Sequence, residues 1–172
     1  MKTRALTITE VGRIFHALTD GTHADLFRFL FFTGARISEA LAVRLEDVAD
    51  DLSVVTLRTA KGGAHRTIPI APALRSMLKR RRARWASGLF SRVHERTFRN
   101  HLAHAARLAG VPGRVSPHTL RHTFATIAHQ AGASSRTVQA LLGHRTIRST
   151  ETYLHSDPRD IDRAVHSLPR IV

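Results

Sequence analysis

His118 and Arg121 are residues whose types and spacing suit chemistry on an anion. They follow Ser116-Pro117, which is a good N-cap and first-turn pair for a helix. Because His118 and Arg121 are three residues apart, they share one face of that helix, beside its buried face. The first turn of a helix offers free N–H groups and the positive end of the helix dipole, which suits a phosphate. Two solvated side chains are the alternative interpretation.

A metal site at this helix is disfavoured. His118 and His122 are one turn apart, but Arg121 lies between them and would repel a cation, and no carboxylate is nearby in the sequence. The chain also has no cysteine, which excludes thiolate metal sites and disulfides and fits a reducing cytoplasm. We therefore expect no metal.

A second arginine stands at a predicted helix start. Arg36 follows a glycine break in the sequence TGARISE, again the position for binding an anion. Glu39, one turn later, is placed to orient the guanidinium group. A surface ion pair between Arg36 and Glu39 is the alternative interpretation.

Three further residues have chemical potential but weaker local signals. Lys61 precedes Gly62-Gly63 at the tip of a predicted hairpin, where it could reach over a bound substrate or simply protect a sheet edge. His144 directly follows Gly143, the predicted end of a helix. Tyr153 is the only tyrosine in the chain, so a mechanism that needs a phenol must use it.

Hydrophobic periodicity predicts one mixed α+β domain that is mostly helical. Alternation over residues 52–57 and 66–70 predicts a β-hairpin. Helical spacing is found at Thr9 to Leu18, Ala24 to Phe32, from Arg36, after Pro72, Val93 to Ala109, after Ser116, Ser135 to Gly143, Arg148 to Leu154, and Arg159 to Leu168.

Several details of these helices are specific enough to test. Gly34 is expected to end the second helix in a left-handed conformation, and Ser135 to cap the short helix that ends at Gly143. The helix after Ser116 is expected to be closed by Gly132. Its predicted buried stripe comprises Leu120, Phe124, Ile127 and Ala131.

The charge of the chain predicts a polyanionic partner. It has 172 residues with 27 Lys and Arg against 13 Asp and Glu, a formal net charge of +14. Nucleic acid is the leading candidate partner, and ribosomal, chromatin and anionic-membrane proteins are the alternatives. The most apolar run, Leu26 to Phe32, is short and contains Arg28, so we expect no transmembrane or lipid-anchored segment.

The ordered set of these residues resembles the active site of the tyrosine recombinases, also called phage integrases. The set is Arg36, Lys61, His118-x-x-Arg121, His144 and Tyr153. The strings TGARISEAL, SPHTLRHTFAT and LLGHRTIRSTETYLH are similar to that family's, and the resemblance extends from Leu6 to about Leu168.

The resemblance implies site-specific DNA recombination through a covalent 3′-phosphotyrosyl intermediate, without metal, ATP or another cofactor. Arg36 and Arg121 would clamp the scissile phosphate, because a planar guanidinium matches two phosphate oxygens. Tyr153 would be the nucleophile. The members of this family usually act as tetramers on double-stranded DNA.

The resemblance also implies roles for the remaining residues. Lys61 would protonate the departing 5′-oxygen as general acid. His118 would assist proton transfer at the tyrosine, and His144 would donate a hydrogen bond to a nonbridging oxygen. Glu39 would only orient Arg36. A basic helix is expected to contact the DNA backbone or to be a solvated face; its residues are Lys79, Arg80, Arg81, Arg82 and Arg84.

The chain departs from the family in one respect. Family members usually carry an N-terminal helical core-binding domain that closes a clamp around DNA, and we expect residues 1–172 to be the catalytic domain alone. The chain would then be truncated or naturally catalytic-only, and would use an accessory DNA-binding domain or protein. A tail helix at about 158–172 is expected to pack on a neighbouring protomer or on its own chain.

Three other functions remain open from the sequence. Residues 124–142 resemble a helix-turn-helix, which would suit a non-catalytic DNA-binding regulator. An enzyme similar to type IB topoisomerases would share the chemistry but relax supercoils. A basic scaffold of a ribonucleoprotein would make the ordered residue set a coincidence. For the DNA-acting functions we expect a cytoplasmic, nucleoid-associated protein.

Overall fold

The computed structural model describes residues 4–58, 65–84, 88–143 and 158–169. In this part of the chain the helices and strands confirm the predicted α+β class, mostly helical with one antiparallel hairpin. They are α1 (Ile8–Ala17), α2 (Gly21–Thr33), α3 (Ile37–Leu41), β1 (Val54–Arg58), β2 (His65–Pro69), α4 (Pro72–Arg84), α5 (Glu95–Leu108), α6 (Pro117–Gln130), α7 (Ser135–Leu142) and α8 (Pro158–His166), with a 3-10 turn at Leu45–Asp47.

Helix α2 lies at the centre of the hydrophobic core. It packs against α1, α3, α4 and α6, which explains why its apolar residues show little helical asymmetry. The residues buried along it are Leu26, Phe27, Phe29, Leu30, Phe31 and Phe32. The prediction that this helix is buried on nearly all sides is confirmed.

The turn at Gly34 sets the distance between α2 and α6. Gly34 has φ 61°, the predicted left-handed cap. A Cβ at this position would lie 2.5 Å from Cδ1 of Phe124 on α6. Both the conformation and the close approach therefore require glycine. The carbonyl group of Gly34 is consequently held beside α6.

The hairpin places one charged residue on its buried face. Val55 pairs with Ile68, and Leu57 pairs with Arg66. These four residues are all buried, whereas the residues between them along the strands are more exposed. Because side chains alternate along a strand, Arg66 points to the same side as Ile68. The hairpin tip, including Lys61, lies outside the described residues.

The structure corrects three details of the helices that follow. Ala131, expected in the buried stripe of α6, is exposed, and Ala128 is buried instead. The side chain of Ser134, rather than Ser135, accepts the capping hydrogen bond from the backbone N–H of Thr137. Arg121 is buried among the packed helices and does not lie beside the buried face.

The last described helix folds onto the same chain. Helix α8 contacts β2, α6 and α7, and its apolar residues Ile161, Val165 and Leu168 are buried there. The predicted preceding helix, Arg148 to Leu154, lies outside the described residues. Among the described helices, none is both long and apolar enough to cross a membrane.

Candidate active site

An open pocket of about 390 Å³ lies where the starts of α3, α5 and α6 meet. It brings together three of the predicted site residues, Arg36, His118 and Arg121, which are far apart in sequence. The other residues around it are Ala35, Ile37, Ser38, Glu95, Arg99 and Pro117. The predicted anion-binding residues of two helix starts are thus neighbours in one cavity.

Arg36 caps the start of α3 and remains partly exposed. Its backbone N–H donates to Oε2 of Glu39 at 2.8 Å, and its Nη1 donates to Oε1 of the same carboxylate at 2.8 Å. The Arg36 side chain is nevertheless 42% exposed. An arginine has five side-chain N–H groups, so most of the donors of Arg36 face the pocket or solvent.

Glu39 is buried and is held chiefly by an arginine from the hairpin. Arg66 Nη1 donates to Oε1 at 2.9 Å and Nη2 donates to Oε2 at 2.7 Å, a two-pronged ion pair. Burial alone would raise the pKa of Glu39, but the hydrogen bonds and charge of Arg66, with smaller effects of Arg36, lower this pKa to about 2. Glu39 is therefore a carboxylate at neutral pH.

Arg121 is held by backbone carbonyl groups from two different elements. Its Nη1 donates to the oxygen of Gly34 at 2.7 Å, and its Nη2 donates to the oxygen of Leu142 at 2.5 Å. Burial, and the nearby cations Arg36 and Arg66, lower the pKa of Arg121 to about 10. The guanidinium group is still protonated at neutral pH, so it carries its charge into the wall of the pocket.

The charge balance of this cluster favours an anion. Three guanidinium groups, those of Arg36, Arg66 and Arg121, surround the single carboxylate of Glu39. Since carbonyl groups bring no net charge, the described cluster stays positive. His118 adds an exposed imidazole at the second position of α6, on the rim of the same pocket.

The remaining predicted catalytic residues, Lys61, His144 and Tyr153, lie outside the described residues. Helix α7 ends at Gly143, directly before His144, in a left-handed conformation with φ 62°. Arg66 binds the carbonyl group of Leu141, and Arg121 binds that of Leu142.

The basic helix α4 differs from the prediction at one position. Arg81 is buried, with its Nε 2.9 Å from Oδ2 of Asp25 and its guanidinium carbon 5.0 Å from the centre of the Phe90 ring. It is therefore a core residue and not part of a DNA-binding face. Arg80 also bonds Asp25, and Arg82 bonds Asp50.

Sequence reasoning missed Arg66, which binds Glu39, and two residues that line the pocket, Glu95 and Arg99. Arg66 carried a signal, because the alternation along β2 places it on the face of buried Ile68. Glu95 and Arg99 form an ion pair one turn apart at the start of α5. Nothing in their local sequence connects them with α3 or α6, so only the packing of α5 identifies them as pocket residues.

Comparisons with known proteins find relatives over most of this chain. The family model described as "Phage integrase family" matches residues 4–160. A relative named "Tyrosine recombinase XerD" from Mycobacterium tuberculosis is 38% identical over 87% of this chain and 56% of its own length. The chain spans 56–62% of the length of several curated relatives it matches.

Solved structures show the same fold. A crystal structure of XerA recombinase superposes with a TM-score of 0.72 and 27% identity, over 91% of this chain and 60% of that chain. A lambda integrase tetramer bound to a Holliday junction superposes with a TM-score of 0.70 and 20% identity, over 85% of this chain and 48% of that chain.

Proposed function

The chain belongs to the phage integrase family, and from this premise we propose that it is a site-specific DNA recombinase. It would cut and rejoin DNA through a covalent 3′-phosphotyrosyl intermediate. The observation that carries this proposal is the pocket in which Arg36 and Arg121 converge from distant parts of the chain, with a local excess of guanidinium groups.

Transition-state charge explains why such a pocket is useful. When an oxygen attacks a phosphodiester, negative charge accumulates on the nonbridging oxygens of the phosphorus. Fixed cations at these oxygens stabilise the transition state more than the ground state. The partly exposed fork of Arg36 would bind one edge of the phosphate, and Arg121, held by two carbonyl groups, would supply a fixed charge beneath it.

The reaction would be a balanced exchange of two phosphoester bonds. The phenolic oxygen of Tyr153 would form a bond to phosphorus as the bond from phosphorus to the 5′-oxygen breaks. His118 would accept the proton of the phenol, and Lys61 would give a proton to the departing 5′-oxygen. His144 would hydrogen-bond a nonbridging oxygen. The phosphotyrosine conserves the bond energy, so rejoining would need neither ATP nor a metal ion.

Double-stranded DNA is the proposed substrate, and assembly on DNA is part of the proposal. The lambda integrase structure shows four copies of a protein of this fold on a junction. We expect four copies of this chain, or of a longer protein that contains it, to act together on two DNA sites. An accessory DNA-binding domain or protein would complete the grip on DNA. Such a protein would act in the cytoplasm, at the nucleoid.

A trapped-adduct assay tests this function. The protein is incubated in EDTA with supercoiled DNA that carries its native flanking sequence, quenched with SDS, and run on a denaturing gel beside Tyr153→Phe. The proposal expects an EDTA-resistant protein–DNA adduct that the variant cannot form, although the variant still binds DNA. An adduct in both proteins, or in neither when a core-binding domain is supplied in trans, would overturn it.

The products of the same reaction separate recombination from relaxation. A recombinase gives joined products from two sites, whereas a relaxing enzyme gives only a ladder of topoisomers from one plasmid. We expect joined products that depend on the native flanking sequence.

A further inference from the structure

Arg66 is a buried arginine outside the residue set that identified the family, yet it contacts two parts of the site. Its side chain is 4% exposed. It binds both carboxylate oxygens of Glu39, and its Nε donates to the carbonyl oxygen of Leu141 at 2.8 Å. We propose that Arg66 is a positioning residue that neutralises Glu39, keeps Arg36 available for the phosphate, and fixes the end of α7 before His144.

The first part of this inference follows from how Glu39 divides its hydrogen bonds. Arg66 makes two side-chain bonds to the carboxylate, while Arg36 makes one. Arg66 is buried and Arg36 is 42% exposed, so the pair with Arg66 is the one shielded from water. Arg66 thus balances the charge of Glu39, and the charge of Arg36 remains for an anion in the pocket.

The second part follows from the packing at Gly143. A Cβ on Gly143 would lie 2.9 Å from Nη1 of Arg66, so the guanidinium fills the space beneath this turn. Cations at the C-terminal end of a helix are stabilised by its carbonyl groups and dipole. Arg66 and Arg121 bind the carbonyl groups of Leu141 and Leu142, and together they determine where α7 stops.

Loss of Arg66 should therefore weaken phosphate binding by Arg36, although Arg36 itself is unchanged. A buried Glu39 without Arg66 keeps Arg36 as its remaining close partner, and an arginine tied to a buried carboxylate binds phosphate poorly. Removing the carboxylate at the same time should release Arg36 again. This rescue is the distinguishing result when phosphate affinity is compared at equal concentrations of folded protein, because the second substitution can also restore stability by removing an unpaired buried charge.

The pH dependence gives an independent readout. Among the described residues, the charged groups that face Glu39 are Arg36, Arg66 and Arg121. In Arg66→Gln the pKa of Glu39 should rise from its value of about 2, since its main hydrogen-bonding partner is gone. Protonation on lowering the pH would then neutralise Glu39 and free Arg36, so phosphate binding by this variant should recover toward acid. The Arg66→Gln/Glu39→Gln protein should lack this recovery.

The hairpin contains a matched control. Arg58 on β1 also pairs with a buried carboxylate, because its Nε donates to Oδ1 of Asp47 at 2.7 Å and the Asp47 side chain is 1% exposed. Among the described residues, neither Arg58 nor Asp47 bonds Glu39 or the end of α7, whereas Arg66 bonds both. The Arg58 side chain is 47% exposed, so Arg58→Gln is a control for the loss of an arginine that binds a buried carboxylate in the same hairpin.

The experiment measures binding of inorganic phosphate by NMR, followed at the backbone amides of residues 34–38 and 118–121. It compares wild type, Arg66→Gln, Arg66→Gln/Glu39→Gln and Arg58→Gln. We expect Arg66→Gln to weaken binding by about tenfold, equivalent to about 1.4 kcal/mol. The double variant should recover most of this loss, and Arg58→Gln should bind phosphate as wild type does. The same order is expected for the rate of adduct formation.

Several outcomes would overturn the inference. They are the absence of phosphate shifts at these amides in wild type, equal effects of Arg66→Gln and Arg58→Gln, and a double variant as weak as the single one. If Arg66→Gln does not fold, Arg66→Met serves instead, because it removes the charge but keeps an apolar side chain of similar length. A folded Arg66→Met protein that binds phosphate as wild type does would contradict the proposed role.

This inference rests on the proposed function, but the two fail separately. A wild-type protein that binds phosphate at the pocket and forms no Tyr153 adduct contradicts the recombinase proposal only. If wild type forms the adduct and Arg66→Gln binds phosphate and forms the adduct equally well, only the role of Arg66 is contradicted.

Discussion

Two arginine-rich regions of this molecule use the same side chain in opposite ways. On α4, the guanidinium groups of Arg80 and Arg81 share Asp25, and Arg82 pairs with Asp50. At the pocket, Arg36 shares the carboxylate of Glu39 with buried Arg66, and Arg121 binds only carbonyl groups among the described residues. The α4 arginines therefore attach a helix to its neighbours, whereas the pocket arginines retain charge for a ligand.

The difference shows that a count of basic residues does not locate an anion-binding site. What matters is the ratio of cations to carboxylates at each place and whether the acceptors are charged. Carbonyl oxygens satisfy the N–H groups of Arg121 without cancelling its charge. This arrangement explains how a buried arginine can be both well bonded and electrostatically available.

Replacing one arginine by glutamine in each region should give the largest effects, on the reaction rate at the pocket and on stability at α4. Arg121→Gln should lower the rate of adduct formation by about 100-fold or more, because a fixed cation at the phosphate is lost. Arg81→Gln should cost about 1–3 kcal/mol of unfolding free energy, because buried hydrogen-bonding groups lose a partner. Urea denaturation and single-turnover adduct assays at equal concentrations of folded protein measure both effects. A similarly reduced rate of adduct formation in folded Arg81→Gln protein would show that the two regions do not differ in this way.

The position of Gly34, between α2 and α3, should not accept any residue with a side chain. Gly34→Ala places a Cβ against the Phe124 ring in a left-handed conformation, and overpacking alone costs about 1–3 kcal/mol. Gly113→Ala is the control, because Gly113 has φ 85° but no atom lies within 4 Å of the place its Cβ would take. Thermal or urea unfolding should show a clearly larger loss for Gly34→Ala, with weaker phosphate binding at the pocket. Equal losses would mean that backbone strain, and not the approach of α6, governs Gly34.

Acid stability should distinguish two carboxylates with the same low pKa. The pKa values of Glu39 and Glu10 are each lowered to about 2 in the folded protein, Glu39 chiefly by Arg66 against the opposing effect of burial, and Glu10 chiefly by Arg4. Since an unfolded glutamate has a pKa of about 4.3, each contributes stability that is present above that pH and is lost as the pH falls toward 2.

The measurement is the unfolding free energy from pH 6 to 2. Glu39→Gln and Glu10→Gln should each reduce its decline with acid, but only Glu39→Gln should also change phosphate binding at the pocket. A change in phosphate binding in Glu10→Gln would show that the pocket responds to distant charges and that its local charge balance does not decide binding.

The exposed residues of α4 should give the smallest effect. If Lys79 contacts a DNA phosphate, Lys79→Gln should reduce the slope of log K against log salt concentration by about 0.9, with a modest loss of affinity. Arg163→Gln on α8, where the exposed side chain pairs with Asp160, is the control for general charge loss. DNA-binding titrations of both variants at several salt concentrations give the affinity and the slope. An equal change in the two variants would remove α4 from the proposed DNA surface.

Much of the fold could be predicted from short stretches of sequence. The period of apolar residues located the described helices and the hairpin, and Gly34 and Ser116-Pro117 marked a helix end and a helix start where the structure has them. Such signals are encoded within about one helical turn, so they survive without knowledge of the rest of the chain. The misplaced cap at Ser135 is an error of one residue in the same kind of signal.

The candidate site was predicted only in part. The helix-start positions of Arg36 and His118 pointed to anion binding, and the resemblance joined them to Arg121. The burial of Arg121 was not foreseen, because its partners, the carbonyl groups of Gly34 and Leu142, become neighbours only when α2, α6 and α7 pack together. Local periodicity contains no information about such partners.

The sequence by itself determined the secondary structure, the family and the types of residue available for chemistry. The tertiary structure alone decided that Arg81 belongs to the core and that Arg66 joins Glu39 to the end of α7. The physical reason is the range of the interactions. Caps and amphipathic faces depend on residues a few positions apart, whereas the ion pairs that leave the pocket positive join residues brought together by packing.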